Sequence, residues 1–377
     1  MVSPALPVLR VGTSADYAPF SSERDGALQG MDIEVAERLG RDLGMRVEYV
    51  RFTWPGLAAA TRRGAFDIAM SGVTMRPERA LVGYYTRPVA SVGTVALVRA
   101  DDARFTSVDA LDQGGVRIAV NAGGHLERVA RPRFPAATLE SVADNRAVLQ
   151  RLIDGRADAA VTDTAEMQVW LRPELRALPA FGVDYKAYLL PADRADLAPR
   201  VDEWLVARET DGWLDEVRVR WLGSAASTAP NAAQRVAVVS LIRLRLELMP
   251  AVAAAKQAAG LPIEDRAQET RVIARVREVS SQPERTAAVY RQLIELAKVV
   301  QRSAPAAQST ASLDELRAAL GRIDAQLVRD LDRSPKGSFQ EWYGALQPAL
   351  MGSGVDNAAV GRLAAVLTGN FTDTAIE

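Results

Sequence analysis

Two pairs of side chains have the types and spacing that chemistry needs. In "VTDTAE" (161–166), Asp163 and Glu166 lie three residues apart and share a face if the segment is helical. A like charge that close raises one carboxyl pKa of the pair, as would burial against Trp54 and Tyr17. A carboxylic acid kept neutral near pH 7 can hand its proton to a poor leaving group. Taken alone, the same string reads as a helix N-cap followed by a solvated glutamate. The second pair is Arg245 and Lys256, 11 residues apart around the mostly apolar run "LELMPAVAAA". In one helix, at about 100° per residue, both point the same way, roughly 16 Å apart along the axis. Their extended side chains would leave a gap on the scale of a small dicarboxylate. Two cations facing an apolar interior are costly unless an anion meets them, and the bland alternative puts both on the polar side of the helix.

The totals narrow what else could act. The chain has 377 residues, 48% hydrophobic and 25% charged, enough for two domains or more. A formal charge of −1 gives no reason to expect nucleic acid or an anionic membrane as partner. No cysteine is present, which excludes disulfides, thiolate nucleophiles and Cys-based zinc sites, and His125 alone makes a two-histidine metal site impossible. No metal and no cofactor is expected. No apolar run approaches the roughly 20 residues needed to span a bilayer. The opening "MVSPALPVLRVGT" reads as a mature domain given a new initiator after removal of a leader, hence a periplasmic or secreted protein, or else as a cytoplasmic protein with its natural start.

From residue 8 to about 222 the pattern alternates strand and helix, as in "VLRVGTS", "MDIEVAERLGRDLG", "RVEYVRF" and "FDIAMSG". That rhythm predicts an α/β fold with mostly parallel sheets and ligands at the carboxyl ends of strands. "SVGTVALVRADD" and "VDYKAYLLPADR" look like matched crossings between two lobes, one of about 1–92 plus 190–222 and one of about 93–189. "GSAASTAPNAAQ" (223–234) is small, polar and Pro-containing, a linker. Residues 235–377 are expected to be all-α, with helices over 235–258, 263–280, 284–304, 312–332, 338–350 and 355–368.

"SADYAPF" (14–20), "TWPGL" (53–57), "MSGVTMRPER" (70–79), "NAGGHLE" (121–127) and "VTDTAE" follow strands in the first half. In order and spacing they resemble the type II solute-binding proteins that clamp amino acids, and specifically that fold's enzyme subfamily, the cyclohexadienyl (prephenate or arogenate) dehydratases. The resemblance implies that Arg79 holds the ligand carboxylate, that Thr74 adds a hydroxyl or amide, and that Asp163 faces a ligand amine. It implies Glu166 as the catalytic acid, with Asp16, Tyr17, Trp54, Ser71, Asn121, Gly124 and His125 also lining the substrate site. His125 and Leu126 depart from the small or amide side chains usual there, and Gly93 stands where some members carry lysine.

"RLRLELMPAVAAAKQAAGLPIED" (243–265) resembles the first helix and loop of AroQ-type chorismate mutases, in particular the exported gamma subclass. The implied roles are Arg245 and Arg317 on the carboxylates of chorismate, Lys256 with Gln301 on the ether oxygen, and Asp265 and Glu269 near the ring hydroxyl. Gln268 replaces an arginine usual beside them, and Ala297 a Ser or Thr. The mutase reaction needs no base, nucleophile or metal, since fixed cations can hold the reactive conformer and stabilise its developing charge. The two resemblances imply consecutive steps of phenylalanine biosynthesis, chorismate to prephenate to phenylpyruvate, or arogenate to phenylalanine if arogenate is accepted. They also imply small-molecule substrates only and a homodimer. The alternative is an amino-acid-binding protein fused to a chorismate mutase.

Overall fold

The computed structural model of the protein describes residues 6–305 and 309–369. The first five residues, on which the leader expectation rests, lie outside the described residues. Contacts divide the chain into two units: Met1–Thr74 with Tyr85–Ser227, and Met75–Tyr84 with Thr228–Glu377.

The first unit is built on two sheets. One sets Arg46–Arg51, Val8–Thr13, Ile68–Ala69 and Leu189–Pro191 side by side. The other sets Thr138–Val142, Arg117–Asn121, Ala159–Asp163, Ala90–Arg99 and Leu175–Ala177, with Gly182–Lys186 also paired to Ala90–Arg99. Interior strands such as Ala159–Asp163 are buried on both faces, so they show no alternation of buried and exposed positions. The expectation of mostly parallel sheets needs correction. Ala90–Arg99 runs antiparallel to Ala159–Asp163, Leu175–Ala177 and Gly182–Lys186, and Leu189–Pro191 antiparallel to Ile68–Ala69. The chain enters and leaves the second sheet along these crossing strands, and a return crossing must run against the first.

Helix Met31–Leu43 ends on Gly44 in the left-handed region (φ 67°), the geometry that favours glycine. Its Asp32 is fully buried, accepting from the Gly72 amide (2.5 Å) and the Tyr188 hydroxyl (3.0 Å). Burial pushes this carboxyl up to about 7 against those two hydrogen bonds and the Lys186 charge. A raised folded-state pKa contributes stability below the unfolded value that is lost as pH rises through the folded one. The melting midpoint of the first unit is therefore expected to fall as pH rises from about 4 to about 7, with Asp32→Asn reducing that slope. An unchanged slope in calorimetry would remove Asp32 as its source.

The second unit is helical through Pro230–Glu247, Met249–Ala258, Arg266–Val279, Pro283–Ser303, Leu313–Arg333, Phe339–Leu350 and Asn357–Leu367. Capping boxes start two of them, Ser312 with Glu315 and Ser338 with Glu341. Two expectations are corrected. The first helix begins at Pro230, inside the 223–234 linker, because proline is pre-organised for the first helical position. The single helix over 235–258 is interrupted at Leu248, where Pro250 removes a backbone donor and crowds the preceding turn. Arg245 and Lys256 thus sit on successive helices.

Candidate active sites

Strand Ala159–Asp163 delivers the first site. Asp163 ends the strand and caps helix Thr164–Trp170, its Oδ1 accepting from the amides of Ala165 (3.0 Å) and Glu166 (2.9 Å). Glu166 is thereby held in the first turn, 2% exposed, where it accepts from the Thr162 hydroxyl (2.6 Å) and the Asn145 amide. Burial pushes the Glu166 carboxyl up to about 8, and the Asp163 charge pushes the same way against Thr162, Asn145 and Lys186. At neutral pH Glu166 is a buried neutral acid. The direction is the one expected from spacing and burial, but its hydrogen-bonding partners are Thr162 and Asn145. Of the aromatic walls expected from sequence, Trp54 is half-buried, donates to Asp16 (3.0 Å) and meets Tyr17 edge-on at 5.9 Å.

The other Asp163 oxygen accepts from the Tyr17 hydroxyl and lies 3.5 Å from Lys186 Nζ. Lys186 is buried, with its ammonium 2.6 Å from Asp184, 3.1 Å from the Thr74 hydroxyl, and over the rings of Tyr17 (5.1 Å) and Phe20 (5.8 Å). Thr74 donates to Asp184 (2.8 Å), so its hydroxyl is engaged within the protein. His125 opens helix His125–Arg133 with Nε2 4.0 Å from Asp184, after Gly124 as N-cap; Asn121 ends its strand close by. Ser71 bonds the Ser14 hydroxyl (2.8 Å). Arg79 is buried in the short helix Pro77–Ala80, which contacts group with the second unit. At Gly93 a Cβ would lie 3.0 Å from Ala180 and 3.2 Å from Thr164, so a longer side chain needs those neighbours to move.

Sequence reasoning missed Lys186, Asp184, Asn145 and Thr162. A readable signal existed for two of them: Asp184 and Lys186 are charges at i and i+2, on one face of an otherwise apolar strand.

In the second unit, a cavity of about 460 Å³ is lined by Arg245, Lys256, Asp265, Gln268, Glu269, Gln301 and Arg317, together with Ala297. Arg245 donates from Nε to Asp324 (3.0 Å), which also accepts from the Tyr290 hydroxyl (3.1 Å). Among the described residues its Nη1 is buried with no partner, as is Gln301 Oε1, and Gln301 Nε2 has only the Met249 sulfur at 3.5 Å. Leaving such groups unmet costs about 1–3 kcal/mol each, which a polar ligand would recover. Lys256 donates to the Ile263 carbonyl (2.6 Å). Burial lowers its pKa, the Arg317 charge adds to that, and Asp265 and Glu269 resist.

Asp265 caps helix Arg266–Val279 by accepting from the Gln268 amide (2.9 Å), and Glu269 lies 3.5 Å from Lys298. The Gln268 side chain accepts from Arg271 (2.8 Å). Arg317 is half exposed and pairs with Asp314 (3.3 Å). Lys298, Arg275 and Arg329 also line the cavity and were not singled out from sequence; they lie outside the quoted motif, on helices whose facing sides only packing defines.

Residues 9–224 match the bacterial extracellular solute-binding proteins of family 3, and residues 236–302 match chorismate mutase type II. A cyclohexadienyl dehydratase of Pseudomonas aeruginosa is 38% identical over 222 residues, covering 57% of this chain and 82% of the relative. An L-cystine-binding protein of Escherichia coli is 26% identical over 221 residues, covering 57% and 83%. Among solved structures, an ancestral amino acid-binding protein described as a precursor of cyclohexadienyl dehydratase is similar with a TM-score of 0.55 and 33% identity, covering 57% of this chain and 95% of that one.

Proposed function

Because the chain belongs to the family 3 bacterial extracellular solute-binding proteins and continues into a type II chorismate mutase domain, we propose that it converts chorismate to prephenate and prephenate to phenylpyruvate. It is an enzyme of two activities, an isomerase and a lyase. Its substrates are small molecules. The family's extracellular character fits the periplasm, and among the described residues no helix is long and apolar enough to cross a membrane.

The observation that carries the lyase reading is the neutral, buried Glu166 beside Asp163. Prephenate aromatises when its ring C–carboxylate bond breaks, carbon dioxide departs, and that electron pair enters the ring as the ring C–OH bond breaks. Hydroxide is a poor leaving group, so the Glu166 proton goes to that oxygen and water leaves, with Glu166 left as carboxylate. An amino-acid binder has no use for a buried neutral acid.

In the mutase, Arg245 and Arg317 would hold the two carboxylates of chorismate. Lys256 and the Gln301 amide would stabilise the charge that builds on the ether oxygen as one C–O bond breaks and one C–C bond forms. Asp265 and Glu269 would orient the ring hydroxyl.

The test supplies chorismate and follows phenylpyruvate absorbance in alkali. Prephenate accumulating without phenylpyruvate would refute the lyase. The pH dependence has a definite sign, because the acid must carry its proton and its folded-state pKa is about 8. Turnover of prephenate is expected to fall as pH rises through about 8, with one-proton steepness. A rate holding level to pH 10 would assign the proton elsewhere.

A further inference from the structure

We propose that Lys298 is a substrate-binding residue of the second unit's cavity, the buried cation that meets one of the two carboxylates of chorismate. The inference rests on the mutase reading and adds a contact that the quoted motif does not contain.

The formal charges of the cavity suit a dianion. Among the described residues that line it, six are cationic and four acidic, a surplus of two positive charges. Of those six cations, Arg245 and Lys298 are the two that are buried, at 6% and 8% exposure. Arg317, expected on a carboxylate, has a half-exposed side chain and shares its charge with the exposed Asp314. Water screens a cation so placed, and it anchors an anion weakly. Position 268 brings no cation either, since the amide oxygen of Gln268 accepts from Arg271 (2.8 Å).

Lys298 stands one turn before Gln301 on helix Pro283–Ser303, so the two share a face. An ammonium has three donors. One meets Glu295 (2.7 Å), whose side chain is 63% exposed, and Glu269 lies at 3.5 Å. Among the described residues the third donor meets no partner. Burial lowers the Lys298 pKa, but Glu295 and Glu269 raise it more, so the amine stays an ammonium. A buried charge held by one solvated glutamate and one long contact is under-compensated, and a substrate carboxylate would complete its shell.

The experiment follows chorismate consumption by the full chain. Lys298→Met is expected to raise KM about 10–100-fold and keep kcat within about threefold, because a carboxylate contact binds substrate and transition state alike. Lys298→Arg keeps the charge and should hold KM within about threefold of the unaltered chain. Glu295→Gln removes a competitor for the ammonium, and losing an exposed pair of this kind should lower KM about two- to fivefold. An unchanged KM in Lys298→Met overturns the proposal, and so does Lys298→Arg as impaired as Lys298→Met. A loss confined to kcat overturns it too, because Lys298 would then act only by positioning Glu269. Should Lys298→Met not fold, a KM that stays level or rises in Glu295→Gln overturns it. An unaltered chain that consumes no chorismate instead overturns the mutase reading beneath it.

Discussion

Glu166→Gln is expected to lower prephenate turnover by about 10²–10⁴-fold, the range a positioned general acid contributes, and to leave chorismate consumption unchanged. Glutamine keeps the shape of the buried acid and can still accept from Asn145 while meeting Thr162, whose hydroxyl can accept as readily as donate. The loss should therefore be chemical rather than structural. Fed chorismate, the variant should accumulate prephenate stoichiometrically, which converts to phenylpyruvate on brief acidification. A variant retaining more than about a tenth of the wild-type rate would mean that the leaving hydroxyl takes its proton from another group.

Lys256→Ala is expected to do the reverse. Loss of a cation aimed at developing charge costs about 10²–10³-fold in kcat, so chorismate should persist while added prephenate is processed normally. Lys256 is half-buried and among the described residues bonds the Ile263 carbonyl alone, so alanine leaves few partners stranded. Chorismate turnover close to wild type would put the ether oxygen out of reach of this side chain. The two variants together make a cross: each should lose one step and keep the other, and mixing them should restore the full sequence.

Much of this was legible before any coordinates. Strand–helix alternation and cap residues are local signals, and they located the α/β half, the helical half and helix Arg266–Val279, expected over 263–280, to within three residues at its start. Asp163 and Glu166 were legible for the same reason, being neighbours in the chain. What escaped was long-range. Tyr17 reaches Asp163 across 146 positions and Lys186 reaches Thr74 across 112, and no periodicity encodes such meetings. The consequence is a set of neighbours at Asp163 that the sequence did not show. Expected to face a ligand amine, it also meets the Tyr17 hydroxyl and lies 3.5 Å from the Lys186 ammonium. The interruption at Leu248 is a different lesson, since Pro250 was in plain view and an unbroken 3.6-residue rhythm across it outweighed the proline.

The antiparallel pairing of Ala90–Arg99 with Gly182–Lys186 has one more implication. Asp184 and Lys186 ride on that two-stranded ribbon of the second sheet, Asp163 ends another strand paired to Ala90–Arg99 in the same sheet, and Tyr17 lies on a strand outside it. A ribbon flexes more easily than it shears, so opening would peel the phenol from its carboxylate and leave the ammonium moored where it is. If that parting limits the escape of product, turnover should slow in proportion to solvent viscosity, and Tyr17→Phe should weaken that dependence.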